Sequence, residues 1–330
     1  MPSILRVGLN PYGLTYHLGL QGAGTRRANP NAVGLEGYIA LATELGAKTI
    51  EMWEGWTKEL GDDALKALGD RLRGLGMEPI GSSGLHQADL ANSIRIARGL
   101  GARVVRFALT PILCGDRAAA GKRWHELVDG TWEKLGRLAP MAAEHGITVA
   151  IENHQDFTSQ ELVNFCVETG PNVGIVFDTA NTFPTAESPL DFTRVIAPHV
   201  RYLHLKDYRV QFTDEGYRLV RCASGDGCVP YAEIVAILAQ HHQSLPAAIE
   251  IGALEARHVR LFTPGWWHGY APRDATQLAA ALLAARRNHI PEGEDYRTPW
   301  EKQEDGQALI DFELGQVRKS AANLRALGLM

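Results

Sequence analysis

Four short apolar runs between residues 147 and 252 each end in, or close to, a side chain that binds metal ions. Ile147-Thr-Val-Ala-Ile-Glu152 and Val173-Gly-Ile-Val-Phe-Asp178 end in carboxylates. Arg201-Tyr-Leu-His204-Leu-Lys206 carries an imidazole near its end, and Ala247-Ala-Ile-Glu250-Ile-Gly252 supplies a third carboxylate. Short runs rich in Val and Ile and bounded by turn residues read as buried strands. Helical patterns separate them, and strand–helix alternation favours a parallel sheet.

An ionised group at the end of a buried strand costs several kcal/mol, on the order of the desolvation penalties known for ions in proteins, unless it is paired or bound to a metal. One such group makes a salt bridge; four at equivalent strand ends suggest one shared site. In a closed barrel of parallel strands those ends converge on one face. Three carboxylates and one imidazole suit a single divalent ion, with Mn²⁺ foremost and Mg²⁺, Co²⁺ or Zn²⁺ as the other candidates. The expected metal ligands are therefore Glu152, Asp178, His204 and Glu250.

The rest of the chain fits a strand–helix series. Strands are expected at Ile4–Leu9, Lys48–Trp53, Pro79–Ser83 and Arg103–Leu109, with helices at 34–45, 62–75, 87–99, 124–144 and 273–288. A long Gly/Pro-rich loop follows the first strand, and its Arg26 and Arg27 would meet an anion or a neighbouring subunit, or simply be solvated. Glu51 and Trp53 share a face of the second strand, so Glu51 either touches substrate or forms a structural ion pair. His86 follows the third strand and would serve substrate binding, proton transfer or packing. Arg106 either enters the barrel or pairs outside it. His154 lies two residues past Glu152, so both can face one way. It is a candidate acid/base group, with the support of Glu152 or Asp207 as its other possible role. By the same parity Lys206 stands beside His204, to stabilise an oxyanion or to neutralise carboxylates. After Glu250 an insertion holds Trp266, Trp267 and Tyr270, expected as an exposed aromatic lid or stacking surface for substrate, or as a subunit contact. Ile310, Phe312, Leu314, Val317 and Leu324 are spaced for an amphipathic helix over 307–327, which packs back on the barrel or clasps a partner.

Composition narrows the function classes. The chain has 330 residues, 45% hydrophobic and 22% charged, an ordinary globular balance. The net charge of -5 has no basic stripe, which argues against nucleic-acid binding. No apolar run is long enough to cross a bilayer, and the opening Met-Pro-Ser-Ile-Leu-Arg leads straight towards a strand, so neither membrane association nor a targeting segment is expected. Cys114, Cys166, Cys222 and Cys228 are scattered, which fits a reduced, cytoplasmic chain.

The series resembles the xylose isomerase-like superfamily of sugar isomerases and epimerases, which includes an endonuclease IV branch. That family's Glu, Asp, His and Glu on strands five to eight fall here on Glu152, Asp178, His204 and Glu250. Val-Ala-Ile-Glu152-Asn-His, Phe-Asp178-Thr-Ala-Asn, Leu-His204-Leu-Lys206-Asp207 and the turn Gly225-Asp-Gly-Cys-Val-Pro230 carry the likeness. It implies an α/β fold, a (β/α)8 TIM barrel over 1–290 with a C-terminal helical extension over 291–330. It implies an enzyme that abstracts a proton next to the carbonyl of a keto-sugar through an enediolate, giving an isomerase or epimerase. Catalytic candidates are His154, Glu152, Glu250 and Lys206; substrate-binding candidates are His86, Glu51, Trp266 and Trp267. The family's epimerases carry a histidine three residues past the metal Asp, where this chain has Asn181. The alternative is a lyase acting on 3-oxo-glycosides, like the large subunit of C-glycoside deglycosidases. Such large subunits work with a small partner subunit, so the chain is expected to form a homo-oligomer or a hetero-oligomer with a small subunit.

Overall fold

The computed structural model describes residues 3–87 and 89–330. Eleven strands occur among them: β1 (Leu5–Leu9), β2 (Thr49–Trp53), β3 (Glu78–Gly84), β4 (Val104–Ala108), β5 (Thr148–Glu152), β6 (Val173–Asp178), β7 (Val200–Leu205), β8 (Asp207–Thr213), β9 (Gly216–Cys222), β10 (Leu245–Ile249) and β11 (Arg257–Val259). The helices are α1 (Gly34–Glu44), α2 (Glu54–Thr57), α3 (Asp62–Gly74), α4 (Leu90–Leu100), α5 (Arg117–Ala120), α6 (Lys122–Ala143), α7 (Ser159–Thr169), α8 (Pro189–Ile196), α9 (Tyr231–Leu238), α10 (Ala275–Ala285) and α11 (Gly306–Ala326). The expected start of the helix at 87–99 includes Ala88, which lies outside the described residues; Asp89 caps α4 through the Asn92 N–H.

Eight parallel strands close a barrel in the order β1-β10-β7-β6-β5-β4-β3-β2, which is a (β/α)8 TIM barrel with a helical C-terminal region. Strand side chains alternate, so each strand sends every second residue inward. Ile80, Val104, Ala150, Val176, Tyr202 and Ala248 form a separate buried cluster that plugs the barrel interior. Two residues further along the same strands come Ser82, Arg106, Glu152, Asp178, His204 and Glu250. The polar layer therefore rests on an apolar floor that keeps water out from below. Outward-facing residues such as Val105, Phe107, Ile151, Phe177 and Leu203 join the helices in the main core. At Gly8 the backbone of β2 comes so close that an added Cβ would lie 1.6 Å from the Thr49 carbonyl oxygen.

A feature beyond the plain strand–helix reading is the three-stranded antiparallel sheet β11-β9-β8. Only Lys206 separates β7 from β8, so the chain runs directly from a barrel strand into a hairpin over the barrel mouth. Its signal was present as alternating apolar residues Tyr208, Val210, Phe212 and Tyr217, Leu219 around the turn Asp214-Glu215.

The last helix packs back on the barrel. Its Leu309, Val317, Ala321 and Leu324 are buried, and Ser320 and Asn323 hold the Ser224 backbone at 2.9 and 3.0 Å. Glu313 accepts hydrogen bonds from the N–H groups of Tyr16 at 3.1 Å and His17 at 2.9 Å, and from the Thr15 hydroxyl at 3.2 Å. Arg27 donates to the Trp300 carbonyl and stacks on its ring, and Arg26 reaches Gln303, so both arginines pin the first loop to the C-terminal region. Among the described residues no helix is long and apolar enough to cross a membrane.

Burial pushes the Glu313 carboxyl up from 4.5 to about 7, against the pull of the surrounding N–H groups. Between those values the folded chain holds a proton that the unfolded chain has released, so this contribution to stability is full below pH 4.5 and is lost as pH rises towards 7. Glu313→Gln is expected to reduce the downward slope of stability against pH in that window by up to about 1.4 kcal/mol per pH unit. Urea midpoints measured at half-unit pH steps check this; an unchanged slope would refute it.

Candidate metal centre

The four strand-end groups converge. One ligand atom from each of Glu152, Asp178, His204 and Glu250 lies within 4.8 Å of the others, and all four residues are buried. Glu152 and Asp178 are the last residues of β5 and β6, His204 lies one before the end of β7, and Glu250 directly follows β10. Lateral pairing fixes their level: Asp178 stands beside His204, and Asn153 clasps the Asp178 backbone through both its amide atoms.

His204 is held with one nitrogen towards the centre. Its Nδ1 lies 3.0 Å from Glu152 Oε1 and 2.8 Å from Glu250 Oε2, while Nε2 lies 2.7 Å from Glu51 Oε2. A metal-binding histidine commonly donates its other N–H to a carboxylate, which fixes tautomer and ring orientation. Glu51 has that position. It is fully buried and also receives hydrogen bonds from Asn10 at 2.9 Å and the Tyr202 hydroxyl at 2.9 Å. Of the two roles expected of Glu51, substrate contact or structural ion pair, the buried carboxylate makes the ion pair, with His204. Asn10 also donates to Glu250 Oε2 at 3.0 Å.

Two permanent cations enter the layer. Arg106 points into the barrel and pairs with Glu152, while Lys206 Nζ lies 2.6 Å from Asp178 and 2.8 Å from Glu250. Four carboxylates thus face two bases, leaving an excess of two negative charges, the charge that one divalent ion offsets. Burial opposes a charge on His204, yet Glu250, Glu51 and Glu152 raise it well above an ordinary histidine. Asp178 is raised to about 6, chiefly by burial, with Glu250 and Glu152 adding and Lys206 opposing. Burial opposes ionisation of Glu250 too, but Lys206 and His204 hold it well below the usual carboxylate range. The donor set, its oriented imidazole and its charge all fit a divalent ion.

His154 lies just beyond β5 and lines a cavity of about 190 Å³ together with His86, Leu85, Leu109 and Pro111. Its Nδ1 is buried without a hydrogen-bond partner. Burial takes its imidazole down to about 4 despite the nearby Glu152, well below the near-neutral value expected from sequence. His86 borders the same cavity and rests on α6, with Nε2 3.3 Å from the Thr131 hydroxyl. A larger cavity of about 580 Å³ lies on the outer wall between α8, α9 and α10 and shares no residue with the centre.

The aromatic insertion departs from expectation. Trp266 is only 3% exposed and donates to the Cys114 carbonyl; Trp267 donates to the Leu261 carbonyl; Tyr270 stacks on Trp266 and bonds Gly115. These rings are packing for the loop after β4 rather than an exposed lid. Arg117, buried in that knot, lies between the rings of Trp124 and Tyr270 and donates to the carbonyl oxygens of Asp156 and Gly269 and to Glu161. Gly115 has φ +64°, and an added Cβ would sit 2.0 Å from the Pro184 oxygen. Sequence reasoning missed Asn10, just past β1, and Arg117, at the start of α5, lone polar residues whose partners are distant in the chain.

Residues 39–260 match the family model for the xylose isomerase-like TIM barrel. The uncharacterized protein YihM of Escherichia coli K12 is 28% identical over 202 residues, 60% of this chain and 59% of that one. An inosose dehydratase of Clostridium botulinum (strain Alaska E43 / Type E3) is 25% identical over 148 residues, 40% of this chain and 48% of that one. The matched part thus spans about half to three-fifths of the length of these curated relatives. A crystal structure of D-psicose 3-epimerase in the presence of D-fructose superposes with a TM-score of 0.55 at 17% identity, covering 89% of this chain and 93% of that one. The extent of the family match, over the barrel strands that carry the centre, shows that this chain belongs to the xylose isomerase-like TIM barrel family.

Proposed function

We propose that the protein is a divalent-metal-dependent enzyme that removes a proton next to a carbonyl group of a keto-sugar or keto-polyol. The observation that carries this reading is the buried group Glu152, Asp178, His204 and Glu250, with the far nitrogen of His204 tied to Glu51. A divalent ion held there, Mn²⁺ foremost, supplies Lewis-acid polarisation of a carbonyl oxygen. Lys206, between Asp178 and Glu250, donates a hydrogen bond to negative charge that develops beside it. His154, which lines the cavity it shares with His86, takes the proton on its unpartnered Nδ1.

The side chains favour elimination over epimerisation. Epimerisation needs a second proton carrier on the opposite face of the substrate. At the position where the family's epimerases have a histidine, Asn181 instead donates to Asp178 at 2.6 Å and accepts from the Tyr208 hydroxyl at 3.3 Å. Asn181 itself, whose amide is not basic, cannot take a proton from carbon at that position. Elimination asks for one base, with a donor such as Lys206 for the departing oxygen. The inosose dehydratase relative bears the name of an eliminating enzyme. Mn²⁺-loaded protein given D-fructose, D-psicose, an inosose and a 3-oxo-glucoside is expected to release water or aglycone from the last two without interconverting the ketoses. Ketose interconversion alone would sink the elimination reading. Absence of solvent deuterium uptake next to every carbonyl would sink proton abstraction itself.

Asp178→Asn and Glu250→Gln are expected to fold yet to lose most bound metal when assayed by elemental analysis; near-stoichiometric metal in both would exclude the assigned ligands. His154→Ala is expected to keep the metal and lose about 10²- to 10⁴-fold in kcat, with a smaller change in KM. Wild-type turnover in that variant would make His154 a bystander.

A further inference from the structure

The hairpin over the barrel mouth carries an arginine with no counter-ion. Residues directly opposite in an antiparallel pair share a face of the sheet. Tyr208 pairs with Arg221 and Val210 with Leu219 across β8 and β9, and Arg257 of β11 pairs with Leu219, so Tyr208, Arg221 and Arg257 share one face. That face looks down on the centre, because the Tyr208 hydroxyl reaches Asn181, whose amide holds Asp178.

Arg221 is 7% exposed, and no carboxylate among the described residues lies within ion-pair distance of it. Its guanidinium makes one long hydrogen bond, Nη1 to the Ile251 carbonyl at 3.4 Å, and Nε is buried without a partner. Arg257 pairs with Glu255 through Nη1, but its Nε is likewise buried and unpartnered. Guanidinium cannot shed its charge at any ordinary pH, so burial without an anion is a standing penalty. The position also lies on the route inwards. The side chains of Glu152 and His204 are 0% exposed, whereas those of Glu250 and Lys206 are 10% and 5% exposed, and Lys206 feels the charge of Arg221.

We infer that Arg221, with Arg257 beside it, receives an oxyanion group of the substrate, a carboxylate or a phosphate on the same molecule as the carbonyl. Acidic keto-sugars are then preferred over neutral ones such as an inosose or a 3-oxo-glucoside, an inference that rests on the reading of the site given above. The planar fork of Nε–H and Nη–H matches two oxygens of either group.

Three ketoses differing at one carbon test this: D-fructuronate, D-fructose 6-phosphate and D-fructose, titrated calorimetrically into metal-loaded protein at fixed ionic strength. At least one acidic ketose is expected to bind tenfold or more tighter than D-fructose, and which one does so distinguishes carboxylate from phosphate. Arg221→Met is expected to bring the acidic ketoses to the level of D-fructose, and Arg221→Lys to restore part of the difference. Without ligand, Arg221→Met is expected to unfold at the same or higher urea concentration than wild type, since it removes an uncompensated buried charge. Equal affinities for all three ketoses in the wild type would overturn the inference. So would Arg221→Met that keeps the acidic preference. Metal content, measured separately on each sample, shows whether the metal centre itself has failed.

Discussion

Buried negative charge at the end of the barrel governs the rest of the structure. Glu51, Glu152, Asp178 and Glu250 surround a single imidazole inside a ring of strands. Ions so deep are tolerated only with counter-charges and oriented donors around them. Arg106, Lys206 and Asn10 supply part of that compensation from three different strands or strand ends. The apolar floor of Ile80, Val104, Ala150, Val176, Tyr202 and Ala248 makes their attraction strong by denying water access from below. Barrel closure, strand register and the composition of the interior thus serve one electrostatic end.

The loops above this layer are organised by a further buried cation. Arg117 ties the segment after β4 to the carbonyl of Asp156 after β5 and to Gly269 in the aromatic insertion. Gln155, between His154 and Asp156, has φ +123°, a strained value for a residue with a side chain. Its backbone and side-chain oxygens accept from the N–H groups of Gly115 and Cys114, which hold the strain in place. The direction in which His154 faces is therefore set by contacts made several residues away, in a knot where neither Gly115 nor Trp266 has room to move.

The barrel and the four converging groups were legible in the sequence because both depend on local pattern. A Val/Ile-rich run ending in Glu152 or Asp178 states its own strand and its own terminus. Roles that depend on pairing across the chain were not legible. Glu51 meets His204 across a sequence separation of 153, and nothing near Glu51 distinguishes a support for a histidine from a substrate contact. The aromatic insertion misled for a related reason: Trp266 and Tyr270 look surface-exposed until the loop bearing Cys114 and Gly115 is laid across them. The hairpin was hidden by its continuity with β7, since Leu205-Lys-Asp-Tyr208 reads as the tail of one strand.

That continuity bears on how molecules come and go. Lys206 is the sole link between β7, anchored on both sides in the barrel, and β8, the first strand of the roof. A roof that extends a barrel strand has no slack segment about which to swing, unlike a flap hung on a flexible loop. The face of the roof that carries Tyr208, Val210, Leu219 and Arg221 is thereby held to the barrel strand it continues.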